Sequence, residues 1–220
     1  MQMIIIILGV LCLVFFIENA RELRTFRIRT YRIFSHKLKG IQKKRIVFLS
    51  DLHNCSYGKN NGRLLAAVRR SRPDLILIGG DMLVRKNGTS YAKTLKFLTR
   101  LTAMCPVYYA NGNHEQKLKE EPERYEQSYA AYKKYLEEAG IIFLENEAVI
   151  WKPDGVRIRI SGLEIPLSAY EKLGKRNLSV RQIEDRIGRS DPSYQILLAH
   201  NPAYMQQYEA WGADLVLSGH

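Results

Sequence analysis

Five apolar runs in this chain each end on a residue that binds metal ions or moves protons, and this repetition limits the possible folds more than any other feature. The runs are "FLSDLH", "LIGGD", "YANGNHE", "LLAHNP" and "LVLSGH". Short stretches of Ile, Leu, Val and aromatic residues bounded by Gly, Asp or Asn read as buried strands. In sheets of this kind, ligands collect beyond the carboxyl ends of the strands. Four of the five histidines (His53, His114, His200 and His220) stand at such ends, and only His36 does not. A single histidine there is ordinarily a packed, hydrogen-bonded residue. Four of them, joined by Asp51, Asp81 and Asn113, point to one shared site.

Between these runs the apolar spacing changes to three and four, which is the period of a helix. Strands are predicted at 45–50, 74–80, 106–110, 194–200 and 214–220. Three more are predicted within "IIFLEN", "AVIW" and "VRIRISGL", with "KPDG" (152–155) as a hairpin turn. Helices are predicted over 60–70, 91–101, 122–140 and 179–188, with a helical turn from Pro202 to Trp211. The alternation defines an α/β class. A length of 220 residues suits one domain with a sizeable core.

Before this body lies "MIIIILGVLCLVFFI" (3–17), fifteen residues without a charge. A membrane-spanning helix takes about 17–25 residues, so the run is borderline, with Arg21 and Arg24 able to snorkel to headgroups. The expectation is a transmembrane anchor over 1–20. A signal peptide is disfavoured because "MQ" carries no basic residue and Glu18-Asn19-Ala20 is a poor cleavage site. A buried core helix is disfavoured because amphipathic periodicity is absent. From Glu18 to Arg45 there are ten Lys or Arg against two acids, a local charge of +8 within a total of +12. Residues 21–43 therefore read as a basic juxtamembrane linker that favours anionic lipid. The positive residues all follow the run, which predicts a single pass with the catalytic body on the cytoplasmic side. Nucleic acid is the less favoured partner for this patch. Cys12, Cys55 and Cys105 show no paired spacing and read as free thiols.

Two Asp, one Asn and several His, with no thiolate, suit manganese, iron or zinc in a reactive site rather than a sulfur-rich structural one. A carboxylate with two oxygens can bridge a pair of ions. Glycines beside Asp81 and His220 allow the backbone to turn tightly and bring ligands close. A pair of ions about 3.5–4 Å apart activates water for in-line phosphoryl displacement.

The ordered set "DLH", "GGD", "GNHE", "AHNP" and "SGH" resembles the signature of the calcineurin-like metallophosphoesterases, over residues 44–220. With the apolar N-terminus, it is also similar to the membrane-attached bacterial branch related to UDP-2,3-diacylglucosamine pyrophosphatases. The resemblance implies a two-sheet β-sandwich flanked by helices (αββα) and two divalent metal ions. It implies that Asp51 and His53 bind the first ion, Asp81 bridges, and Asn113, His200 and His220 complete the second. His114 would be catalytic, contacting the phosphate and stabilising or protonating the leaving oxygen. Glu115 would either support it or act as a charge at a helix N-terminus.

The family pattern continues as GHxH where this sequence reads "SGH", so the expectation is a domain incomplete at its C-terminus. The substrate implied is a phosphate or pyrophosphate ester, with lipid-linked UDP-2,3-diacylglucosamine as one instance. A metal-dependent nuclease and an inactive metal-binding module are the alternatives. The segment "LEIPLSAYEKLGKRNLS" (163–179) reads as a solvated connection or, less favoured, a substrate-side loop.

Overall fold

The computed structural model describes residues 2–22, 25–170 and 178–220, and within the first helix the side chains of Ile7 and of residues 9–18. Helix α1 (Gln2–Glu22) precedes two four-stranded sheets. The first sheet runs β1 (Ile46–Leu49), β2 (Leu75–Ile78), β3 (Val107–Tyr109) and β4 (Ile141–Phe143), all parallel. Its crossovers hold α2 (Gly62–Ser71), α3 (Ala92–Thr99), and the pair α4 (Asn113–Glu120) and α5 (Tyr129–Glu138). The second sheet runs β5 (Glu147–Trp151), β6 (Ile158–Leu163), β7 (Tyr194–Ala199) and β8 (Leu215–Leu217). Here β5 and β6 are antiparallel and the other pairs are parallel. Helices α6 (Val180–Ile187) and α7 (Met205–Trp211) cross between its last strands.

The unbroken apolar run of β2 follows from burial on both faces. Leu75 and Leu77 point into the sandwich, against Ile158, Ile160, Ile196 and Leu198 of the second sheet. Ile76 and Ile78 point the other way, onto Leu64, Leu65, Phe97 and Leu98 of α2 and α3. In β7, Leu197 and Ala199 likewise face Ile183, Ile187, Tyr208 and Trp211 of α6 and α7. The layers are helix, sheet, sheet and helix, the αββα arrangement that the motifs imply.

Two expectations are corrected. The helix predicted over 122–140 begins only at Tyr129. Pro122–Arg124 form a separate 3-10 turn, and Ser128 caps α5 by accepting from the Ala131 N–H at 3.2 Å. The transmembrane helix expected over 1–20 is the second. Among the described residues no helix is long and apolar enough to cross a membrane. Fifteen uncharged residues give about 22 Å of helix, short of the roughly 30 Å hydrocarbon core. The described side chains of α1 are exposed and belong to none of the three apolar clusters, so a core helix is excluded as well.

At the carboxyl end of β3 a polar bridge joins the sheets. Asn111 Nδ2 shares its two protons among three oxygens, those of Tyr129 (2.6 Å), Glu164 (2.7 Å) and Glu145 (2.9 Å). Two lysines offset the paired carboxylates: Lys119 Nζ lies 2.9 Å from Glu164, and Lys133 Nζ lies 2.9 Å from Glu145. Burial would raise the Glu145 pKa, but hydrogen bonds from Tyr129 and Lys133 and the charges of both lysines bring it below the ordinary value of 4.5. A carboxylate depressed in this way stabilises the fold above its unfolded pKa and loses that contribution as pH falls through the folded one. Glu145→Gln should cost about 1–2 kcal/mol at pH 7, discounted for partial exposure. The difference from the parent should shrink in urea titrations run at successively lower pH; equal stability at pH 7 would count against the bridge.

Candidate metal centre

The loops that leave β1 and β2 continue the parallel ladder past the ends of the strands. Asp51 N–H donates to Gly80 C=O, His53 N–H to Asp81 C=O and Asn54 N–H to Met82 C=O, each at 3.0 Å. To make these bonds the backbone turns left-handed at Asp51 (φ 55°), His53 (φ 46°), Asn54 (φ 58°) and Asp81 (φ 52°). Non-glycine residues in that region are uncommon and cluster at functional sites. Gly80 (φ 87°) must be glycine on two counts, since a Cβ there would fall 2.0 Å from Gly112 N. A Cβ on Gly219 would fall 2.3 Å from Asp51 Oδ2 and 2.8 Å from His200 Cε1. Such close approach is what the glycines in the motifs provide.

Asp81 is the hub. It is buried, and its Oδ1 accepts the His114 N–H at the start of α4 (2.8 Å), which orients Oδ2 inward. Around Oδ2 stand His200 Nε2 at 3.2 Å, His53 Nε2 at 3.8 Å and His114 Nε2 at 3.9 Å. Asp51 Oδ1 lies 3.6 Å from His53 Nε2 and 3.9 Å from His200 Nε2. Two sets of ligand atoms result, His53–Asp81–His114 and Asp51–Asp81–His200, and they share Asp81.

The Asn113 side-chain amide lies between Asp81 Oδ2 and Arg85 Nη1, 3.2 Å from each, with its nitrogen donating to the carboxylate and its oxygen accepting from the guanidinium. Turned over, the same amide would offer its oxygen to a cation beside Asp81. His200 Nδ1 donates to Gly79 C=O (2.7 Å), leaving Nε2 aimed at the carboxylates. Burial opposes charge on this ring, but the hydrogen bond and charge of Asp81, the Gly79 carbonyl and Asp51 outweigh it and raise the pKa. Carboxylate oxygens, an amide oxygen and imidazole nitrogens converging without thiolate fit divalent manganese, iron or zinc.

Distance alone would admit His114 as a ligand; its tautomer assigns it otherwise. Its Nδ1 accepts the Arg85 backbone N–H at 3.1 Å, and a backbone N–H can only donate. The ring proton therefore sits on Nε2, which faces the cluster as a donor. Burial lowers the pKa to about 4; Asp81 opposes this, while Arg85, His53 and His200 reinforce it. The ring is neutral at pH 7 and presents an N–H to whatever occupies the site.

Residues 44–220 match the calcineurin-like phosphoesterases. The chain belongs to that family. With it comes metal-dependent phosphoesterase chemistry. Among curated relatives, the uncharacterized metallophosphoesterase YkoQ of Bacillus subtilis is 28% identical over 99% of this chain and 76% of its own length. Phosphodiesterase YaeI of Escherichia coli is 26% identical over 80% of this chain and 59% of its own length. A crystal structure of phosphopantetheinyl hydrolase (PptH) from Mycobacterium tuberculosis is similar at a TM-score of 0.48, with 18% identity over 76% of this chain and 71% of that one.

Within this phosphoesterase, His220 stands at the rim. Its N–H lies 3.2 Å from Asp51 Oδ1, and its ring centroid lies 5.6 Å from that of His200, outside both ligand sets. Two contributors have no signal in the sequence. Arg85 flanks Asn113 and His114 from a loop where nothing but its place four residues after Asp81 sets it apart. Tyr170 packs edge-on against His220, its centroid 5.6 Å away, from the segment that reads as a solvated connection; residues 171–177 of that segment lie outside the described residues.

Glu115, by contrast, is marked by the motif itself, as a support or as a charge at a helix N-terminus. It is fully buried and accepts from the N–H groups of Asp81 (2.8 Å), Met82 (2.9 Å), Gly112 (3.1 Å) and Leu83 (3.2 Å), and from the Tyr109 hydroxyl (2.9 Å). It is both the charge at the α4 N-terminus and the support of the site. Glu115→Gln puts an amide donor among these donors and should cost about 2–4 kcal/mol. Chemical denaturation checks this, and a change under about 0.5 kcal/mol would contradict the role.

Proposed function

We propose that this chain hydrolyses a phosphodiester or pyrophosphate ester at two divalent ions held by Asp51, His53, Asp81, Asn113, His200 and His220, with Asp81 shared. When bound, such ions polarise phosphoryl oxygens and make a water nucleophilic at neutral pH. The protein's own residues do the rest. Glu115 fixes the turns, Asp81 Oδ1 is held by α4, and the neutral His114 ring offers its Nε2–H as a hydrogen bond to the leaving oxygen, stabilising the charge that develops there. Arg85 offers positive charge beside His114, suited to a phosphate. The carrying observation is the convergence of three imidazole nitrogens on the buried Asp81 Oδ2, with Asp51 beside two of them. The phosphodiesterase name of YaeI supports a diester.

Attachment to a membrane belongs to the same proposal. Its support is the exposed apolar surface of α1 and the charge of +8 from Glu18 to Arg45, which suits the anionic lipid of a cytoplasmic leaflet and would place the catalytic body on that side. A lipid-linked ester such as UDP-2,3-diacylglucosamine follows from attachment rather than from the site, and its hydrolysis in the presence of manganese is the direct assay.

The general test is manganese-dependent turnover of bis(p-nitrophenyl) phosphate. Asp81→Asn should lose metal and activity together. His114→Gln should keep its metal content, read by elemental analysis, while kcat falls about 10²–10⁴-fold. No turnover with any divalent ion in a metal-loaded protein would overturn the reading, and cleavage of single-stranded DNA at physiological salt would redirect it to a nuclease.

A further inference from the structure

Apolar surface is unevenly distributed on this molecule. Of fifteen exposed large hydrophobic residues among those described, twelve lie between Ile7 and Phe34, and only Tyr135, Ile142 and Met205 lie beyond. Eight of the twelve are on α1. The other four, Ile28, Tyr31, Ile33 and Phe34, lie on a stretch without helix or strand that precedes the first sheet.

That stretch is pinned at both ends. Phe26 packs edge-on against Tyr57, with ring centroids 5.1 Å apart, and Tyr57 lies on the loop that carries His53. At the far end, Leu38 and Ile41 pack into the cluster between the sheets, and Lys37 Nζ pairs with Asp214 at 2.8 Å. Between these pins, Tyr31 is 83% and Phe34 89% exposed. Arg27, Arg29 and Arg32 alternate with the apolar residues, are exposed, and make no ion pair with a described residue. No Asp or Glu occurs from residue 23 to residue 50.

We propose that residues 26–34 are a lipid-facing strap that seats the rim of the metal centre against an anionic bilayer surface. The proposal rests on the membrane attachment proposed above and adds an orientation to it. Apolar side chains at the depth of the headgroups, with arginines reaching phosphates, are the pattern of an interfacial segment. The strap lies next in the chain after an exposed apolar helix. Ile28 and Ile33 offer no ring for a nucleobase to stack on, so lipid fits better than nucleic acid. Because Phe26 docks beside the His53 loop, a strap lying on the bilayer would hold the cleft close to the headgroups.

The test is amide hydrogen exchange on the full chain reconstituted in phosphatidylcholine vesicles, with and without a quarter of phosphatidylserine. Amides of residues 27–34 should exchange at least tenfold more slowly on the anionic vesicles. High salt should reverse this, as should the triple variant Arg27→Gln, Arg29→Gln, Arg32→Gln. Equal exchange on both vesicles overturns the strap, as does protection by a single-stranded oligonucleotide instead of lipid. Manganese-dependent hydrolysis of the soluble aryl diester is measured on the same samples and should be unchanged in the triple variant. Its absence from the unaltered chain would overturn the catalytic reading alone, while the exchange data still decide the strap.

Discussion

The buried carboxylate of Glu115 joins the two turns on which the metal centre is built. Left-handed backbone after β2 exposes the N–H groups of Asp81, Met82 and Leu83 to the interior, where water cannot reach them. An acceptor with two oxygens at the start of α4 satisfies all three, together with the N–H of Gly112. Burial and the charge of Asp81 raise the Glu115 pKa, while backbone donors oppose that rise. The unusual backbone at Asp81 persists because this one side chain over-determines it.

From that clamp the rest of the centre follows. Asp51 and Asp81 come from the first sheet, His200 and His220 from the second, and their meeting depends on the sandwich holding both sheets in register. Setting the buried Asp81 beside the half-buried Asp51 is unfavourable unless positive charge lies between them. A cation bound by the folded state alone would add to stability through mass action. Folding and metal binding are thus linked through the same few oxygens.

The neutral His114 ring shows how a neighbour decides a role. Its Nε2 is no farther from Asp81 than a ligand atom would need to be, yet the Arg85 N–H on its other nitrogen makes it a donor. Two consecutive residues, Asn113 and His114, thereby present different groups to the cluster, an amide and a ring N–H.

Much of this was legible in the sequence. Alternating runs and strand-end ligands marked the sheets, the helical layers and the seven candidate residues, because a strand buried on both faces must be apolar and a ligand at its end must not be. The break between the turn at Pro122–Arg124 and α5 is not legible, because Pro122 and the helical spacing after it merge into one apparent run. The five donors on Glu115, the tautomer of His114 and the places of Arg85 and Tyr170 were not legible. Each depends on groups distant in the chain, whose orientation no local pattern records. The sequence by itself determined which chemical groups were available and on which kind of element each would sit. Only the tertiary structure decided which of them converge on Asp81, which turns a ring N–H toward the cluster and which holds the others still, since those relations depend on distances and donor directions between separate strands.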